Sequence, residues 1–217
     1  MAAAYHGGVR GAEQYVKSPE LRSAISKAME YWFANDLSTI GNGACMDGGG
    51  IDGDQCPCGT PGLWNTNWFS NVILIPRIAG STCILLRDEL TPTELSNCTH
   101  ITARAYTPFY RENQPGYIAG ANTIDMVSIS ITGGLLENNR TGNATRIQDA
   151  YERLHNEILI HPEAKVDGIK PDGSFQQHAV LYNGNYGKDF SNSVIQLELL
   201  AIDTQFQPNE TTKDVFE

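Results

Sequence analysis

The sequence predicts an all-α fold. Three observations carry this reading. Apolar residues recur at helical spacing through most of the chain, several of these stretches open on capping signals, and no stretch shows convincing strand alternation. With 217 residues, the chain is long enough for one sizeable core.

Ser18-Pro19-Glu20 supplies an N-cap, a proline at the first helical position and an early acid. Leu21, Ile25, Ala28 and Trp32 follow at helical spacing, which predicts a helix over 19–35. Residues 36–66 form a long Gly-rich loop holding Cys45, Cys56 and Cys58. Long loops inside compact domains are usually functional or cross-linked, and a bridge from Cys45 to Cys56 or Cys58 would restrain this one. Cys56-Pro57-Cys58 lacks a second ligand pair at zinc-finger spacing. The acidic run Asp47–Asp54 lacks the closing Glu of a calcium loop. No metal or other cofactor is expected.

Residues 65–86 are apolar and read as helical, with Pro76 kinking or splitting the helix. Thr91-Pro92-Thr93-Glu94 is a capping box opening a helix through about Ala105. Residues 106–119, with Pro108 and Pro115, read as loop. Ile124, Val127, Ile131 and Leu135 mark a helix over 122–137, and Ile147, Tyr151, Leu154 and Ile158 mark another over 144–161. Residues 162–188 return to loop, and short β pairs could form in any of the loops. Phe190, Val194, Leu197 and Leu200 mark the last helix. About six helices separated by long polar loops result; loops gathered at one end of an array of helical hairpins would make a groove.

Composition narrows the function. Hydrophobic residues make up 41% of the chain and charged residues 18%, ordinary values for a globular protein. The net charge of −10 argues against nucleic acid as a partner. No apolar run approaches the roughly 20 residues needed to span a bilayer. Four Asn-x-Ser/Thr sequons begin at Asn97, Asn139, Asn143 and Asn209. With the cysteine cluster they suggest a secreted glycoprotein. The five cysteines leave at least one thiol free unless it pairs between chains. The N-terminus MAAAYHGGVRGAEQYV has no apolar signal core, which fits a mature fragment with an added Met.

The candidate site lies in PDGSFQQHAVLYNGNYG, residues 171–187, where His178 precedes Tyr182 and Tyr186 among glycines and asparagines. A His and a Tyr held close together are a proton-transfer pair. Upstream stand Gly120-Ala121-Asn122 and Asn67-Trp68-Phe69. Taken singly, Asn122 reads as a helix N-cap, His178 as a solvated loop histidine, and Trp68 and Phe69 as core aromatics. His155 and His161 read as structural.

Taken together and in this order, the motifs resemble polysaccharide lyase family 8, the hyaluronate, chondroitin and xanthan lyases; the wording is nearest to fungal members. DGSFQQH followed by YNGNYG is similar to the family's catalytic His/Tyr segment. GAN-x-x-D at Gly120–Asp125 is similar to its catalytic asparagine motif, and Asn67-Trp68-Phe69 with Ile75-Pro76-Arg77 to its aromatic patch. The resemblance spans roughly residues 20–205. It implies a single domain over 1–217, part of an (α/α) toroid, without the family's β-sandwich domains or its later catalytic arginine. The gap from His178 to Tyr186 is one residue shorter than is typical of the family.

The implied chemistry is β-elimination at a uronic acid, with no metal. Asn122 would stabilise charge on the carboxylate, Tyr186 would shuttle the proton, and His178 would be the base or its activating partner. A tyrosine acting as a base at neutral pH needs positive charge nearby. A polyanion usually meets a basic cleft, and only Arg77, Arg104 and Arg111 sit near the motifs. Trp68, Phe69 and Tyr182 would meet sugar faces, and Asn67 would bond hydroxyls. The expected partner is an acidic polysaccharide or other glycan. An incomplete toroid exposes apolar helix faces, so self-association is also expected. The alternative is a lectin-like glycan binder that keeps the groove with little or no catalysis.

Overall fold

The computed structural model describes residues 1–47, 62 and 64–216. Among these, eight α-helices carry the fold. They are α1 (Ala2–His6), α2 (Pro19–Ala34), α3 (Ile75–Leu85), α4 (Pro92–Tyr106), α5 (Ala121–Leu136), α6 (Ala144–Glu157), α7 (Lys188–Ala201) and α8 (Glu210–Phe216). Two compact units divide the chain: Met1–Arg111 with Thr132–Asn143, and Glu112–Ile131 with Ala144–Glu217.

In the first unit, local signals set the helix starts as the sequence predicts. The Ser18 hydroxyl accepts from the Leu21 amide and opens α2. Thr91 and Glu94 form the reciprocal capping box of α4. The Glu94 carboxylate also receives two guanidinium nitrogens of Arg22 and the Ser26 hydroxyl, tying α2 to α4. The apolar faces of α1 to α4 meet in a core that includes Tyr5, Ile25, Met29, Leu86, Leu95 and Leu136. Gly80 permits close approach of α3 to α4, since a Cβ there would sit 3.0 Å from the Thr102 methyl. A disulfide, Cys83–Cys98, crosses the same interface inside the core. The expected Cys45 bridge falls on Cys56 or Cys58, both outside the described residues.

The expected helix over 65–86 forms with a π-helical stretch ahead of Pro76. Helical backbone starts at Trp68, residues 70–74 are π-helical, and they run directly into α3, which begins at Ile75 with Pro76 as its second residue.

In the second unit, α6 and α7 bury Ile147, Tyr151, Leu154, Phe190, Val194 and Leu197. The Tyr151 hydroxyl donates to the Leu197 carbonyl, and its ring stacks on Phe206 at 5.5 Å. Helix α6 stops at Glu157, four residues before its expected end at 161. Pro162 follows His161 and disfavours helical backbone there. Ile160 instead forms a bridge with Ile169.

The segment 162–188, expected as loop, holds a small antiparallel sheet. Its strands are β1 (Gly168–Ile169), β2 (Phe175–Gln177) and β3 (Val180–Leu181), in the order β1-β2-β3. Buried Lys170 fixes the approach to it, donating to the carbonyls of His161, Glu163 and Val166.

Candidate active site

Gln177 pairs with Val180 across β2 and β3, so His178 and Ala179 form a two-residue hairpin loop. Both have left-handed backbone, with φ of 55° and 61°. That is the conformation of a type I′ turn, normally filled by Asn and Gly. Non-glycine residues held there cost about 1–3 kcal/mol each, and such strain collects at functional sites.

Beyond β3, residues 183–187 form a π-helical turn running into α7. The Asn183 side chain accepts from the Phe175 amide at 2.6 Å, and the Tyr182 amide donates to the Phe175 carbonyl at 2.9 Å. These bonds fold the turn back over β2 and bring Tyr186 to the hairpin tip. His178 Nε2 lies 3.1 Å from the Tyr186 hydroxyl. The rings of His178 and Tyr182 both meet Tyr186 edge to face, at 5.1 and 4.9 Å. His178 and Tyr182 are exposed and Tyr186 is half-buried, so the pair is open to a ligand. π-Helical turns recur at functional sites, and the one at 70–74 directly follows Trp68 and Phe69.

Asn122 is the second residue of α5, and is not its N-cap. That place belongs to Gly120, whose φ is 57°. The first amides of α5 are capped from elsewhere: Glu157 receives the Gly120 amide and Gln177 the Ala121 amide. Burial raises the Glu157 carboxyl pKa, which the Gly120 amide partly opposes. Asn122 is 5% exposed, and among the described residues no hydrogen bond holds its amide. An amide at a helix N-terminus suits a carboxylate.

The aromatic patch belongs to the first unit and starts the helical run before α3. The side-chain oxygen of Asn67 accepts from the Phe69 amide at 3.0 Å, and Trp68 meets Phe69 edge to face at 5.8 Å. Asn67 is exposed, while Trp68 and Phe69 are half-buried. The residue that shapes this turn is Asn71, which sequence reasoning missed. It is fully buried, accepts from the Trp64 and Asn65 amides, and donates to the Asn65 carbonyl.

The expected arginines divide. Arg104 is 0% exposed and serves the core: it pairs with Asp36, donates to the Gly62 carbonyl at 2.8 Å, and lies 3.9 Å from the Trp64 ring centre. A desolvated guanidinium must be matched internally, so Arg104 offers nothing to a ligand. Arg111 pairs with Asp47 at 2.5 Å, and Arg77 is exposed on α3.

Fold and local geometry thus define a helical domain carrying an adjoining His–Tyr pair. Residues 60–217 match the sequence profile of the polysaccharide lyase family 8 N-terminal alpha-helical domain. The chain belongs to that family. Among solved structures it is similar to the chondroitin AC lyase of Streptomyces coelicolor A3, in complex with chondroitin sulphate. That match has 18% identity and a TM-score of 0.74, and covers 99% of this chain and 26% of the lyase. It is also similar to a Paenibacillus xanthan lyase, at 22% identity and a TM-score of 0.70, covering 100% of this chain and 17% of that one. A chondroitinase AC lyase solved with oligosaccharides matches at 21% identity and a TM-score of 0.66, with 99% and 26% covered. The chain therefore spans about a quarter or less of these relatives. No curated protein sequence matches it.

Proposed function

We propose that the domain binds a uronic-acid-containing polysaccharide and cleaves it by β-elimination through Asn122, His178 and Tyr186. The observation that carries this reading is the 3.1 Å contact between His178 Nε2 and the Tyr186 hydroxyl, made at a strained, exposed hairpin within a lyase-family fold.

In this reaction a base takes the proton from C5. The electron pair forms the C4–C5 double bond, the C4–O bond breaks, and an acid protonates the leaving glycosidic oxygen. Charge builds on the uronate carboxylate as the proton leaves, and the Asn122 amide donates to it there, aided by the amino end of α5. His178 first accepts the Tyr186 hydroxyl proton; the resulting phenolate takes the proton from C5 and passes it to the leaving oxygen, ending as it began. Asn67, Trp68, Phe69 and Tyr182 are the sugar-contacting residues of this reading. Chondroitin sulphate and xanthan, ligand and substrate in the relatives' names, support an acidic glycan as the substrate class. The four sequons and the Cys83–Cys98 bridge support an extracellular setting.

The test is incubation with hyaluronan, chondroitin, glucuronan and xanthan, followed by ultraviolet absorbance of the new double bond. Absorbance growing with at least one polysaccharide is expected. Measurable glycan binding without product from any of them overturns the enzymatic reading in favour of a lectin-like domain.

A further inference from the structure

We infer that Gln177 and Asp167 are positioning residues that lock the His178–Ala179 turn to the amino end of the helix bearing Asn122. This inference rests on the elimination reading and adds to it two residues that touch no substrate.

Gln177 is 1% exposed, and both ends of its amide are engaged. Its oxygen accepts from the Ala121 amide at 3.0 Å. Its nitrogen donates to Asp167 Oδ2 at 2.7 Å and to the Ala119 carbonyl at 3.3 Å. Only one orientation of the amide works, because the reverse would face a carboxylate and a carbonyl with an oxygen. The other oxygen of Asp167 accepts from the Ala179 amide at 3.2 Å. One carboxylate thus holds the residue before His178 and the residue after it.

The turn needs an external hold because two successive non-glycine residues stand in left-handed backbone. Gly120 completes the lock. A Cβ there would fall 2.1 Å from the Gln177 oxygen, so only glycine admits this approach. The network joins the element that presents His178 to the one that presents Asn122. Glutamate at 177 would keep the shape and fail the pattern, placing a second carboxylate against Asp167 and the Ala119 carbonyl.

The experiment compares Gln177→Glu and Asp167→Asn with the parent chain. The readouts are kcat and KM on whichever polysaccharide is cleaved, thermal melting, and the nuclear Overhauser contact between the His178 and Tyr186 rings. Both variants are expected to lose about 10- to 100-fold in kcat with KM within about twofold, as a displacement near 1 Å would cause. They should also lose the ring contact while still melting cooperatively. If either folded variant keeps the parental ring contact and kcat, the inference is overturned. A parent that cleaves nothing sinks the elimination reading, while the ring contact still decides whether Gln177 and Asp167 hold the turn.

Discussion

His178 Nε2 reaches to within 3.1 Å of the Tyr186 hydroxyl across a separation of eight residues. The two-residue turn at His178–Ala179 and the π-helical segment at 183–187 reverse the chain and bring the two side chains together. If this pair moves the proton, Tyr186→Phe should reduce double-bond formation to background, and His178→Ala should lower kcat by about 100- to 10,000-fold. His178 is exposed, and Tyr186→Phe keeps the half-buried ring, so melting should shift by no more than about 1 kcal/mol equivalent. Product formation by Tyr186→Phe near the parental rate would reassign the proton carrier.

Ala179 holds a φ of 61° that glycine adopts freely. Its amide bond to Asp167 does not involve the side chain. Ala179→Gly should therefore relieve strain that exceeds the added entropy of the unfolded chain, raising stability by up to about 1 kcal/mol. Urea unfolding would register this as a higher midpoint at constant slope. A lower midpoint would mean that the turn is not strained at this position.

What was legible in the sequence was local. Ser18 and the Thr91–Glu94 box announce their helices because a cap is read from four adjacent residues. Helices α1 and α8, of 5 and 7 residues, are too short to show a periodic apolar face. Strands of two and three residues are likewise too short to alternate. The His/Tyr pair was legible from its motif, but its supports were not. Gln177 acts through Ala119 and Ala121, more than fifty residues away, and Asp167 through Gln177 and Ala179; a buried amide has the same letter as a solvated one, as Asn71 also shows in the first unit. Arg104 shows the converse: a cation near a motif in sequence lies sealed against Asp36 in space.

The Cys83–Cys98 bridge closes a loop with a sequence separation of 15 between α3 and α4. Restricting the unfolded chain over such a loop is worth about 3 kcal/mol. The double variant Cys83→Ala/Cys98→Ala should lose about 2–4 kcal/mol, and reduction of the parent under denaturing conditions should lower its refolding midpoint comparably. Equal stability of the oxidised parent and the double variant would show that packing around α3 and α4 suffices without the bridge.

Glu94 ties the capping box of α4 to Arg22 and Ser26 of α2, and this gives the first unit an acid-sensitive joint. Burial alone would raise its carboxyl pKa. The Arg22 guanidinium, the Thr91 amide and the Ser26 hydroxyl outweigh burial and hold it at about 2, against an unperturbed 4.5. The unfolded state therefore binds a proton first as pH falls. The stabilisation from ionised Glu94 is complete above about pH 4.5 and is lost progressively between 4.5 and 2. With charge-assisted bonds at both oxygens, Glu94→Gln should cost on the order of 2 kcal/mol near pH 7. That difference should shrink as pH drops through this window, because the parent's carboxyl then also becomes neutral. Urea midpoints of parent and variant measured from pH 7 to pH 2 should converge. Curves that stay parallel would place the acid sensitivity on another carboxylate.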